Sequence, residues 1–230
     1  MKAIILAAGM GTRLRPLTDD IPKSLVKVNG EPMVERQIKF LKEKGITEII
    51  MVVGYRRESF EYLREKYNVK LIYNDKYNIY NNIYSMYLIK DLLEDCYITE
   101  ADVYMVKNYF KTDLKRSTYF CGVKENFESE WKVSFDDNNR IKKVEVGSGT
   151  DYIQSGISYW NKNDCNIIKQ RLEFIVENQD FKNQYWDNII IDNIDKLNLY
   201  IEKIDSNDWF EIDCVEDLKT AEEYLNHNKR

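Results

Sequence analysis

The chain has 230 residues, of which 43% are hydrophobic, enough for one domain with a sizeable core. Its 39 acidic residues outnumber 34 basic ones, and the net charge of -5 argues against nucleic acid as the main partner. No apolar run approaches a membrane span, and residues 1–8 read as a strand rather than a signal peptide. A cytoplasmic protein without a membrane partner is expected. Cys96, Cys121, Cys165 and Cys214 are scattered without a Cys-x-x-Cys pair, so they read as buried thiols of a reducing compartment. The single histidine, His227, lies near the C-terminus, which leaves little room for histidine-based catalysis.

In chain order, Ala3–Ala7 is a buried strand that runs into Ala8-Gly9-Met10-Gly11-Thr12-Arg13. Pro32 suits a first helical turn, and Val34, Ile38 and Leu41 form an apolar face that Gly45 terminates. Glu48–Val53 is a second strand, Phe60, Leu63 and Tyr67 mark a helix, and Val69–Tyr73 is a third strand. Residues 82–93 suit a helix, and Tyr97–Thr99 is a short strand before Glu100-Ala101-Asp102. This alternation predicts an α/β fold, a mostly parallel mixed sheet with helices on both faces. Ser117–Val123, Trp131–Phe135, Ile141–Val146 and Ile157–Trp160 are strand-like, with a hairpin turn at Asp136–Asn139, and predict a small antiparallel insertion. Ile167, Ile168, Leu172 and Ile175 give a helix, Leu199–Ile204 a strand and Val215–Leu225 a last helix.

The loop after the first strand carries the strongest chemical signal. Glycines let backbone amides approach a ligand, and Arg13 and Lys23, the latter in Pro22-Lys23-Ser24, add positive charge, as a triphosphate requires. A lone Gly-x-Gly is weak evidence. Leu14 replaces the third glycine of the dinucleotide fingerprint, and no Gly-Lys-Ser/Thr follows as in a Walker loop.

The segment LAAGMGTRLRPLT followed by PKSLVKVNGEPMVERQI resembles the signature of nucleotidyltransferases that activate sugar phosphates and small alcohol phosphates. Tyr80-Asn81-Asn82-Ile83-Tyr84-Ser85, Glu130-Trp131, Ser155-Gly156, Tyr185-Trp186-Asp187-Asn188 and Glu211-Ile212-Asp213 are similar to bacterial CTP:phosphocholine cytidylyltransferases of the LicC type. The resemblance covers nearly the whole chain. It implies a single Rossmann-like nucleotidyltransferase domain over residues 1–230, with a nucleotide part at about 1–115 and an acceptor part at about 116–212. It also implies CTP as donor, Mg2+ as cofactor, a monomer or homodimer, and a product used to decorate a bacterial envelope.

By that resemblance Leu6, Ala7, Ala8, Gly9, Gly11, Thr12, Arg13 and Asn82 bind the nucleotide, while Lys23, Arg13 and Asp102 carry the catalysis. Asp102 and Asp213 hold the metal. From the residues alone, either aspartate serves equally as a helix N-cap, and Asp213 ahead of Cys214-Val215-Glu216 suits capping well. The relatives carry Asp-Ala-Asp where this chain has Glu100-Ala101-Asp102, so Glu100 is not assigned as a ligand. Asn81 or Asn82 reads equally as a cap or as a nucleotide contact.

Phosphocholine bears a quaternary ammonium without N–H donors, so aromatic faces select it, at about 0.5–2 kcal/mol per contact. By the resemblance Trp131, Tyr185 and Trp186 match the choline pocket, Tyr80 and Tyr84 are further candidates, and Asp187 adds attraction for the cation. Tyr87 reads as core. The same chemistry on phosphoethanolamine or 2-aminoethylphosphonate is the nearest alternative, and a sugar 1-phosphate acceptor is more remote. A non-catalytic nucleotide-binding protein or a choline-binding module is a different class. The phosphate loop and its cations speak against both.

Overall fold

The computed structural model describes residues 1–228. Strand β1 (Lys2–Ala7) alternates two apolar faces: Ile4 and Leu6 point to one side, Ala3, Ile5 and Ala7 to the other. A strand apolar on both sides belongs in a sheet covered on both sides. After a short hairpin, β2 (Lys27–Val28) and β3 (Glu31–Pro32), helix α1 (Met33–Glu43) packs Val34, Ile38 and Leu41 on the Ile5 face. β4 (Ile49–Val53) lies parallel to β1, and α2 (Tyr62–Tyr67) leads to the parallel edge strand β5 (Lys70–Tyr73). Helix α3 (Asn82–Leu88) is shorter than the predicted residues 82–93, because Ile89 leaves helical geometry and a separate tight turn follows at Lys90–Leu92.

β6 (Cys96–Glu100) pairs parallel with β1 on its other side, so the strand order reverses at β1, where open α/β sheets place their ligands. β7 (Val103–Met105) follows the Ala101–Asp102 turn. The four strands expected between residues 117 and 160 are two: β8 (Ser117–Phe135) and β9 (Ile141–Trp160) form one long antiparallel hairpin. Register shifts around Lys124, Phe127 and Glu130, with left-handed Asn126 and Ser129, interrupt the alternation, which is why its middle reads as non-strand.

Helices α4 (Lys162–Asn178) and α5 (Asp187–Asn193) pack on the Ile4 face with α3. β10 (Leu199–Lys203) runs parallel to β8 and completes a seven-stranded sheet, order β10-β8-β9-β6-β1-β4-β5. The hairpin tip folds back on the outer edge of β10, where the Ile201 N–H donates to the Asn139 carbonyl at 2.9 Å. β11 (Trp209–Glu211) pairs antiparallel with β7, and α6 (Val215–His227) closes the chain on a small third core. Cys96, Cys121 and Cys165 are buried as expected; Cys214 is only half-buried, because it caps α6.

Candidate active site

The loop after β1 is held open by its neighbours. Gly11 takes φ 60°, and a Cβ there would stand 2.7 Å from Cβ of Lys23. The Thr18 hydroxyl donates to the Gly11 carbonyl at 2.8 Å, and the Tyr55 N–H to the Ala8 carbonyl at 3.1 Å. Gly54 lets that second contact form, since its Cβ would fall 2.7 Å from the Ala8 oxygen. Gly9 meets nothing on its open side. Leu6, Ala7, Ala8, Gly9, Gly11 and Thr12 line a cleft of about 420 Å³ together with Lys23, Tyr80, Asn82, Glu100, Asp102 and Tyr185. Of the residues expected to bind nucleotide, all but Arg13 line this cleft; Arg13 instead reaches Asp213 from the exposed side.

Asp102 sits between β6 and β7, Asp213 between β11 and α6. The Ile212 N–H donates to the Asp102 carbonyl at 3.1 Å, so the two-stranded pairing of β7 and β11 zips both aspartates together. The Lys23 ammonium bridges them, donating to Oδ2 of Asp102 at 2.6 Å and to Oδ1 of Asp213. The exposed Arg13 guanidinium contacts Oδ2 of Asp213 at 2.8 Å. Burial works against the charge on Lys23, but Asp102 and Asp213 more than offset it and raise its pKa.

The capping alternative for Asp213 fails on geometry. Cys214 occupies the N-cap, and the Asp217 carboxylate accepts the N–H of Asp213 at 2.9 Å and of Cys214 at 2.7 Å. The Asp213 carboxylate is therefore left to meet Lys23 and Arg13. Glu211 joins the pair: one oxygen each from Asp102, Glu211 and Asp213 lie within 4.8 Å of one another. Glu211 has exposed surface yet is crowded by protein. Desolvation, then the charges of Asp102, Asp213 and Glu130, raise its pKa. Oδ1 of Asp102 is buried without a hydrogen-bond partner. An unused carboxylate oxygen among three hard ligands fits a divalent cation such as Mg2+.

The aromatic side divides in two. Tyr185 is 47% exposed on the cleft wall, and Trp131 of β8 meets it edge-on at 6.3 Å. Tyr80 lines the cleft and stacks on Phe181 at 4.5 Å. Trp186 and Asp187, by contrast, are buried behind the wall. Trp186 packs edge-on against Trp160 at 5.8 Å, because the first turn of α5 points both side chains into the core. Asn82 connects the two layers. Its Oδ1 accepts the Trp186 N–H at 2.9 Å, and its Nδ2 donates to Glu100 at 3.2 Å. Asn81, not Asn82, takes the cap position of α3. Burial, then Asp102 and Asp187, raise the pKa of Glu100.

A profile of the nucleotidyl transferase family matches residues 2–227. The chain belongs to the nucleotidyl transferase family. This nucleotidyltransferase is similar to choline-phosphate cytidylyltransferase of Streptococcus pneumoniae, 47% identical over 98% of both chains. It is similar also to choline-phosphate cytidylyltransferase of Haemophilus influenzae, 41% identical over 100% of this chain and 99% of the relative. A solved structure of CTP:phosphocholine cytidylyltransferase from Streptococcus pneumoniae superposes with a TM-score of 0.95 at 48% identity, covering 97% of this chain and 98% of that one. The single-domain α/β nucleotidyltransferase fold expected from the sequence is the observed one.

Two groups at the site of this nucleotidyltransferase escaped the sequence reading. Glu211 stood in the Glu211-Ile212-Asp213 match but had no role; its place two residues before Asp213 on a short strand is the signal that put it on the same side. Glu130 lies near enough for burial and the charges of Asp213 and Asp102 to raise its pKa, while Arg13 opposes them. Only the bulged hairpin brings it there.

Proposed function

We propose that this enzyme transfers CMP from CTP to phosphocholine, giving CDP-choline and pyrophosphate. The observation that carries the reading is a single cleft lined by the glycine loop, Lys23, Asp102, Tyr80 and Tyr185, with Asp213, Glu211 and Arg13 clustered at its Asp102 end and Trp131 packed against Tyr185. An oxygen of the acceptor phosphate attacks the α-phosphorus of CTP; a new P–O bond forms as the bond to the bridging β-phosphate oxygen breaks. The attacking oxygen is already anionic near neutral pH, so the reaction requires no general base, in keeping with a site that contains no histidine. Lys23 neutralises charge at the reacting phosphates, and Arg13 does so at the departing pyrophosphate. Asp102 and Asp213 hold Mg2+, which when bound supplies Lewis-acid stabilisation of the phosphoryl oxygens.

The nucleotide side is supplied by residues before about 115 and the acceptor side by those from about 116 to 212. Trp131, Tyr185 and Tyr80 offer ring faces to the quaternary ammonium. Trp186 and Asp187 act from behind: Trp186 fixes the segment, and the Asp187 carboxylate contributes field through the wall. A cytoplasmic location, where CTP is available, suits this chemistry, as does a product used for envelope decoration.

The test is pyrophosphate release with CTP and Mg2+, comparing phosphocholine, phosphoethanolamine, 2-aminoethylphosphonate and glucose 1-phosphate. Highest kcat/KM with phosphocholine is expected. Preference for a primary-amine acceptor overturns the acceptor assignment and retains the chemistry. No release with any acceptor overturns the donor or the catalytic reading.

A further inference from the structure

Gln37 lies on the buried face of α1 with no solvent exposure. A buried carboxamide is costly unless each polar atom finds a partner. Here all do. Nε2 donates to the Glu100 carbonyl at 2.8 Å and to the Val103 carbonyl at 2.7 Å. Oε1 accepts the hydroxyl of buried Thr99 at 2.9 Å. The two carbonyls bracket Ala101 and Asp102. Within that bracket, the Ala101 N–H donates to the Leu6 carbonyl and the Asp102 carbonyl accepts the Ile212 N–H, both at 3.1 Å.

The turn between β6 and β7 is thereby tied through its backbone at four consecutive residues, while among the described residues only Lys23 holds the Asp102 side chain. We propose that Gln37 is a positioning residue for the active site: its carboxamide fixes the backbone that aims the Asp102 carboxylate. The inference rests on reading Asp102 as a metal ligand. Glu100 and Val103 present only carbonyl acceptors, so the NH2 end must face them, and the Thr99 hydroxyl holds the amide that way round. No apolar residue can make these bonds, and a glutamate would place an oxygen against two carbonyl oxygens. The neighbouring Arg36 grips the far end of β7 instead, donating to the carbonyls of Met105 and, at 2.8 Å, Val106. It serves as the control, because it ties the same strand without touching the Asp102 turn.

The experiment measures Mn2+ binding by electron paramagnetic resonance, with a non-hydrolysable CTP analogue present, for wild type, Gln37→Met, Gln37→Glu, Thr99→Val and Arg36→Met. Loss of an outer-shell partner typically costs about 10–100-fold in metal affinity or activity. Gln37→Met and Gln37→Glu are expected to weaken Mn2+ binding by about 10-fold and to lower kcat, with KM for phosphocholine within about twofold. Thr99→Val, which frees the amide to flip, is expected to give a smaller weakening. Arg36→Met is expected to lower the melting temperature and leave Mn2+ affinity unchanged. A folded Gln37→Met protein with wild-type Mn2+ affinity overturns the proposal; if that variant does not fold, wild-type affinity in Thr99→Val does so. A wild-type protein that binds no Mn2+ overturns the metal reading itself, and this inference with it.

Discussion

Lys23 stands between Asp102 and Asp213, where desolvation favours a neutral amine and two carboxylates favour an ammonium. The carboxylates win, and the amine is held as an ammonium. Lys23→Met is expected to lower kcat by about 10²–10³-fold, the usual cost of removing one preorganised charge-stabilising donor. Steady-state pyrophosphate release checks this, and a kcat within threefold of wild type would remove Lys23 from the scheme. A second residue governs stability. Glu35 is buried, which opposes its charge, but Lys66, Tyr67 and Tyr62 donate to it at 2.7, 2.6 and 2.8 Å and hold its pKa below the ordinary 4.5. A lowered carboxyl stabilises the fold above its unfolded pKa, and that contribution fades as pH falls through the folded value. Glu35→Gln should thus destabilise by about 1–3 kcal/mol near pH 7, with the gap to wild type narrowing below about pH 4.5. Urea melts across that range decide, and a gap that stays constant in acid contradicts it. Short local motifs singled out the loop residues, Lys23 and both aspartates, and the structure brings them together. The burial of Trp186 and Asp187 was not legible, since a Tyr-Trp-Asp-Asn run does not reveal which way its first turn faces.

At the scale of elements, the cluster of Asp102, Glu211 and Asp213 depends on β11, only three residues long. Trp209 anchors it, buried against Gly122, where a Cβ would come within 2.4 Å of the indole ring. The Lys124 ammonium lies 4.1 Å above the same ring and donates to the Trp209 carbonyl at 3.1 Å. Gly122→Ala forces the indole aside and is expected to cost about 1–3 kcal/mol, as overpacking does. Because Glu211 and Asp213 follow directly, kcat should fall in parallel. Thermal melts and turnover on the same preparation test it; a Gly122→Ala protein of unchanged stability and rate would show that Trp209 yields freely. Strands of this length carry no periodicity, so β7 and β11 were invisible in the sequence. The parallel strands and α1 were plain, because their apolar runs and terminating glycine are local. The long hairpin was half-legible: its tip at Asp136–Asn139 and its apolar ends were found, and its bulged polar middle was not.

At the scale of the whole molecule, the cleft draws on β1, β6, α3 and the segment before α5, so one ligand touches both sides of the sheet's reversal point. Ligand bound only to the native state stabilises by about 2.7 kcal/mol at 100 times its Kd. For a chain this size that corresponds to a rise of roughly 5–10 °C in Tm. A single shifted transition is expected with CTP and Mg2+ together, shrinking when EDTA removes the metal. A rise confined to one of two transitions would show that the nucleotide and acceptor parts unfold separately.

The folded-back hairpin tip has a further effect on how this protein behaves when concentrated. An unprotected outer strand is a template on which other chains polymerise. One border of the main sheet is stitched by its own hairpin at Asn139 and Ile201. The opposite border, β5, is four residues long, starts with exposed Lys70, and has the Arg57 guanidinium 3.9 Å over its last ring, Tyr73. Fibril growth by strand addition thus finds one border sealed by the long hairpin and the other short and positively charged.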